Sequence, residues 1–347
     1  MGTNIIKVGK NFFRYINNIQ LKLILVFIVF TLICMTLGFF FGSFDISIKK
    51  FVHGNLSQLE KEILYQIRIP RVLLSAFVGA ALGLAGACLQ GLFRNPLADP
   101  GLIGVSAGAA LGAVLSIVVF SNLLEHHFLG IYLLPISSVT GALVVILILY
   151  YLSKGFIYDG VTYMLLIGIA INALASVGIG ILTFVSDDAQ LRGLTFWMMG
   201  SFANAQWNLV IPTIFLILIS IIWIIPQSRK IDIIQIGELE ASRLGINVIK
   251  LKFIVIMSSA IMVGVSVSIS GMIGFIGLVI PHLVRLIGGV NHNYLLIGSA
   301  FLGSSLLVLS DILSRITIQP AELPVGLVTS AIGAPFFLWL VLRIKKS

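Results

Sequence analysis

Polar residues along this chain fall in short clusters, and between them apolar runs recur with lengths suited to a bilayer. Reading runs against breakers predicts ten helical spans, at about 23–41, 70–92, 103–120, 131–152, 162–185, 207–226, 252–271, 274–288, 294–312 and 326–343. The expected fold is therefore all-α, a polytopic integral membrane protein in one domain over residues 1–347. No stretch has the composition of a separate soluble domain. The first apolar run follows Lys7, Lys10, Arg14 and Lys22, is too long for a signal peptide, and has no small-residue cleavage site after it. It reads as an uncleaved first span preceded by a cytoplasmic segment, residues 1–22.

Composition agrees with the pattern: 59% of residues are hydrophobic and only 10% charged, far below the quarter usual in soluble domains. Ten spans put both termini on one side. With that side cytoplasmic, 15 of the 22 Lys and Arg lie inside; outside are Lys49, Lys50, Lys61, Arg68, Arg71, Arg192 and Arg315. The net charge of +9 then reflects topology against an anionic inner leaflet, and no soluble basic face for nucleic acid exists. Cys34 and Cys88 both lie within apolar runs and predict thiol packing, not a disulfide or metal site.

Glycines four apart (Gly79 and Gly83; Gly104, Gly108 and Gly112) predict close helix–helix approach. In the fifth span Gly168, Asn172, Ser176 and Gly180 form a stripe at the same spacing, with an amide at membrane depth. Such a stripe is either a close helix contact or the wall of a solvated path. GLAGACLQGLFRNPLADP (83–100) and VSISGMIGFIGLVIPHLVR (267–285) echo one another faintly, which would relate the second and seventh spans by an inverted repeat.

Catalytic signals are missing. No phosphate-binding loop of the G-x-x-x-x-G-K-[ST] kind occurs, so ATP hydrolysis is not expected of this chain. No nucleophile triad or metal-spaced His/Cys cluster occurs either, so no catalytic residue and no metal ligand is assigned. His126 and His127, beside Glu125, read as a solvated loop pair; His282, after Pro281, reads as a capping or packing histidine. An ion-coupled secondary transporter would place acidic residues at mid-depth, whereas here they sit in loops or at span ends.

Three polar features remain. The segment 228–252, SRKIDIIQIGELEASRLGINVIKLK, predicts two brief helices bent at Gly237 and Gly245, a rigid cytoplasmic hairpin suited to docking on a soluble motor. RIPR (68–71) sets Arg68 and Arg71 at the outer mouth of the second span, and Arg315 joins them with Asp311 one turn behind it. Such arginines either snorkel to lipid phosphate or meet carboxylates of an external partner. Arg94, Asn95, Pro96, Asp99 and Pro100 form a stiff cytoplasmic elbow: each proline keeps the residue before it out of the helix, and Asp99 can cap the third span with Pro100 at its first position.

RIPR (68–71), GAALGLAGACLQGLFRNPLADPGLIGVSAGAALGA (79–113), LRGLTFWMMGSF (191–202), GFIGLVIPHLVRLIGG (274–289) and ELPVGLVTSAIGAPFF (322–337) together make the chain similar to the permease subunits of bacterial ABC importers for iron-siderophores, heme and cobalamin. The blocks run from Arg68 to the C-terminus. This resemblance implies the ten-span type II importer fold in the plasma (inner) membrane. It implies partnership with a second permease copy, two ATP-binding subunits that use the ATP, and an external substrate-binding protein. No permanently bound cofactor is implied. The resemblance also gives roles to residues. Arg68, Arg71 and Arg315 would receive glutamates of the binding protein. The segment opened by Glu238, with Ala241, Leu244 and Gly245 in an A-x-x-L-G pattern, would couple to the ATPase. The fifth span would line the path between protomers. Within the family, DDAQLRGLTFWMMGSF (187–202) and RNPLADPGLIGVSAGAA look most like heme permeases.

Overall fold

A computed structural model describes residues 16–42, 44, 46–120, 130–153 and 160–344. Lys7, Lys10, Arg14, Glu125, His126, His127, Lys154, Lys345 and Lys346 lie outside the described residues. Among the described residues the chain forms fifteen α-helices and no strand. Helix α1 is Asn18–Phe40, begun by a capping box in which Asn17 Oδ1 accepts the Gln20 N–H at 2.7 Å. Short helices α2 (Ile48–Val52) and α3 (Gln58–Glu62) follow, and a π-helical turn, Ile63–Arg68, runs α3 into α4 (Ile69–Phe93). A 3-10 turn, Pro100–Ile103, leads into α5 (Val105–Val119); then come α6 (Gly130–Ser153), α7 (Gly160–Val185), α8 (Asp188–Met198) and α9 (Trp207–Ile224). The hairpin α10 (Ser228–Ile234) and α11 (Glu238–Arg243) precedes α12 (Val248–Ser270), α13 (Ile276–Gly288), α14 (His292–Ile316) and α15 (Val325–Ile344).

Among the described residues seven helical stretches are long and apolar enough to cross a membrane, and three shorter apolar stretches, Val105–Val119, Ile276–Gly288 and Val325–Trp339, complete ten. All ten coincide with predicted runs. Helices α5 and α13 begin at backbone that folds back into the bundle, so they need not cover the ~30 Å of hydrocarbon alone. Helix α15 has 20 residues, enough to do so. Gly104, ahead of α5, has φ +85° and packs on Gly168 and Ile171 of α7. Gly271 and Phe275, ahead of α13, have φ +69° and +68°.

Helix α4 is the centre. A side chain at Gly79 would put its Cβ 2.3 Å from the Gly303 carbonyl oxygen, and one at Gly86 would come within 1.9 Å of the Gly277 oxygen. Backbones of α4, α14 and α13 therefore touch, which only glycine permits. Gly108 and Gly112 serve α5 in the same way, against Gly141 and Ser137 of α6. The expected close approach at these glycines is present, with Gly104 contributing a turn instead of a helical step.

The echoing segments do not share a local structure. Residues 83–93 are continuous helix, whereas 271–275 break the chain between α12 and α13. They pack against each other at Gly86 and Gly277. Cys34 and Cys88 are buried and unpaired, as predicted.

Candidate transport and coupling sites

One end of the bundle carries the arginines. Arg68, Arg71 and Arg315 are 4%, 5% and 4% exposed, so in this structure their side chains turn into the bundle. Arg71 Nε donates to Asp311 Oδ1 at 2.9 Å, and its Nη1 donates to Glu322 at 2.9 Å. Arg68 donates to the carbonyls of Phe39, Phe40 and Phe44, where α1 ends. Arg315 reaches the Gly38 carbonyl at 3.3 Å and pairs with Asp311 one turn back, at 3.3 Å. A buried guanidinium needs such partners because its desolvation is otherwise uncompensated. Glu322, whose side chain is 33% exposed, was missed in the sequence, and the fully buried Asp311 reads there as a partner of Arg315 and not of Arg71. Their position at the same bundle end as RIPR was the available signal.

The opposite end carries the hairpin, with the two short helices and the bend as predicted: Gly237 has φ +131° and Gly245 φ +84°. The four coupling residues do not share one role. Ala241 is fully buried, and Glu238 is an internal brace paired with Lys252 at 2.6 Å. Leu244 is 65% exposed and Gly245 makes the turn after α11. Ile236, Leu239 and Ile249 are exposed beside Leu244, an apolar surface on an otherwise polar hairpin.

The elbow divides in two. Arg94, at φ +50°, ends α4 in the left-handed conformation, and Arg94, Asn95 and Pro96 are exposed. Asn95 Oδ1 accepts the Leu97 N–H at 2.9 Å, a local turn bond. The chain then turns inward. Pro100 is buried, with its ring 2.8 Å from where a Cβ on Gly277 would sit, beside Leu82, about three helical turns back from the α4 terminus. Asp99 Oδ1 accepts the Gly101 N–H at 2.7 Å, so it caps the 3-10 turn; α5 itself starts only after Gly104. The second half of the elbow is thus part of the bundle interior, because the 271–275 break leaves room for it. The two together line a cavity of about 110 Å³ that includes Asp99, Ser106 and Phe275.

The stripe on α7 also divides. Gly168 is buried against Gly104, and Asn172 Nδ2 donates to the Gly101 carbonyl at 3.1 Å, so this half is a helix contact. Ser176 and Gly180 are exposed, and a Cβ on Gly180 would meet nothing within 4 Å. His282 packs edge-on to Phe336, ring centroids 6.3 Å apart, and neither ring nitrogen finds a partner, so it packs and does not cap. No group of three or more His, Cys, Asp or Glu among the described residues could hold a metal ion.

Known proteins of this architecture now bear on the chain. The model of the FecCD transport family matches residues 28–343. The hemin transport permease HmuU of Yersinia pestis is 43% identical over 329 residues, 94% of this chain and 98% of the relative. The vitamin B12 import permease BtuC of Escherichia coli is 39% identical over 282 residues, 81% and 84% of the two chains. Among solved structures, a metal-chelate type ABC transporter in an inward-facing conformation superposes with TM-score 0.83 at 30% identity, covering 93% of this chain and 99% of the other. With ten matching spans and a family match over most of its length, the chain belongs to the FecCD transport family and is the multi-pass permease subunit of a bacterial ABC importer, a transport component and not an enzyme.

Proposed function

We propose that this permease carries heme inward by alternating access, as a homodimer served by two ATP-binding subunits and an external binding protein. The observation that carries the cargo assignment is the 43% identity to a hemin permease across nearly the whole chain. Both termini are cytoplasmic in this reading, which the Lys/Arg distribution supports. The hairpin end then faces the ATPase, and exposed Ile236, Leu239, Leu244 and Ile249 supply its apolar contact. Helix α7 faces the second copy, with Ser176 and Gly180 on the path.

At the outer end, a glutamate of the binding protein reaches Arg71 by displacing Glu322, the more exposed of the two acids already holding it. Contact with Arg68 or Arg315 requires the outer mouth to open. The similarity to cobalamin permeases at 39% over 81% of the chain favours cobalamin as the second reading. Uptake of hemin, a ferric siderophore and cyanocobalamin in cells lacking this chain separates them. Selective loss of hemin uptake, restored by the intact gene, is the expected result; intact hemin uptake with lost cobalamin uptake reverses the assignment.

A further inference from the structure

Helices α4 and α14 are in contact from one end to the other. At the arginine end Arg71 is bonded to Asp311. In the middle Gly79 touches Gly303, Gly83 touches Ser299, and Ser304 Oγ donates to the Ala76 carbonyl at 2.7 Å. At the hairpin end Gly91 lies against His292, whose Nε2 is 2.4 Å from where a Cβ on Gly91 would be.

This pair meets the hairpin at a compact polar joint. Asp232 Oδ1, on α10, accepts the His292 backbone N–H at 3.0 Å and the His292 Nδ1–H at 2.6 Å. Ser228 Oγ donates to Asn293 Oδ1 at 2.5 Å, and Gln235 Nε2 donates to the Gly91 carbonyl at 2.6 Å. His292, Asn293 and Ser228 are buried whereas Asp232 and Gln235 keep an exposed edge, and the histidine bond is charge-assisted through the carboxylate. The four bonds involve three residues, Ser228, Asp232 and Gln235, spaced four and three apart along α10 and its C-cap, and all reach α4 or the first turn of α14. Helix α10 is held by its side chains to the central pair, and α11 follows it across the bend at Gly237, braced on α12 by Glu238 and Lys252.

We propose that Asp232 and His292 are a positioning pair, the joint through which displacement of the 237–245 hairpin is delivered to helices α4 and α14 and so to the arginine end. This rests on the reading that the hairpin docks the ATPase. The alternative route is the covalent one, from α11 directly into α12, which would leave the pair without influence on coupling.

The test uses the complete importer, with its ATP-binding subunits and binding protein, in proteoliposomes. The readout is the stimulation of ATP hydrolysis by the binding protein across the membrane. Asp232→Ala and His292→Ala should each cut that stimulation about fivefold or more, at the lower end of coupling between distant sites. The double variant should be no worse than either single one, because both remove one joint. Asp232→Asn, whose carbonyl still accepts both hydrogens, should recover much of the effect. Gly91→Ala, whose Cβ would crowd both the His292 imidazole and Ile231 of α10, should mimic the alanine variants.

Melting of each purified variant guards against a merely structural role. A stimulation loss that only follows the loss of folded protein overturns the proposal, and so does an additive double variant. Alanine variants with wild-type stimulation favour the covalent route and overturn it as well. If the intact chain neither binds an ATP-binding subunit nor supports stimulation, the docking reading fails first and takes this proposal with it.

Discussion

Helices α4 and α7 are nearly alike in length and hydropathy, yet the membrane-length window of the span containing α4 is 89% buried and that of α7 only 11%. In water such apolar helices would both be driven inside. In lipid the tails are as apolar as leucine, so hydropathy places a helix in the membrane without saying which neighbour it touches. The difference lies in small residues that meet other backbones. Gly79, Gly83 and Gly86 on α4 oppose carbonyls of α14 and α13, whereas Gly180 on α7 opposes nothing.

The sharpest way to break this contrast is one substitution on each helix. Gly86→Val should abolish folded protein in detergent-extracted membranes, since its Cβ would lie 1.9 Å from the Gly277 oxygen. Gly180→Val should leave the monodisperse size-exclusion peak of the monomer unchanged. Equal behaviour of the two variants would remove the distinction.

Next in size is the polar lock of α4. Arg71→Ala leaves the fully buried Asp311 with only its longer 3.3 Å contact to Arg315 and should cost about 3 kcal/mol, read as a lower melting temperature of the purified chain. Replacing Arg71 and Asp311 together by Met and Leu should restore only part of that loss, because buried Arg315 then loses its carboxylate and Glu322 its guanidinium.

On α7 the expected effect is on assembly and not on folding. Gly180→Cys should form an intermolecular disulfide in membranes under mild oxidation without lowering the melting temperature. A cysteine there that never cross-links would turn α7 towards lipid instead of a second copy.

The smallest effect belongs to the α2–α3 rim. The Ser57 N–H and hydroxyl and the Lys50 ammonium hold the Glu60 carboxylate below its ordinary range. A depressed carboxylate stabilises above its unfolded pKa, and that contribution fades as pH falls through the folded value. Glu60→Gln should therefore speed amide exchange in residues 58–62 slightly at neutral pH, and the difference from wild type should shrink in acid.

Several elements were legible in the chain alone, each for a local reason. The ten spans follow from apolar run length; the 237–245 hairpin follows from glycines that alone tolerate positive φ without strain. The Asp311–Arg315 contact follows from one helical turn. The rest depended on partners far away in sequence. Arg71 read as outward-facing because its neighbours are apolar, but its carboxylates lie 240 and 251 residues on. Asn172 read as either a helix contact or part of a path wall, and its amide proves to hold the turn at Gly101. Asp99 read as lying at a membrane surface, and the break at 271–275 draws its segment inward.

By itself, then, the sequence determined which segments enter the bilayer, where helices stop, and where backbones can touch, because transfer from water, proline and glycine act within a few residues. Tertiary structure alone decided which helix is central, which arginines are buried and which acids hold them. In a lipid solvent those choices rest on van der Waals fit and on paired charges between distant segments, and neither leaves a periodic trace in the chain.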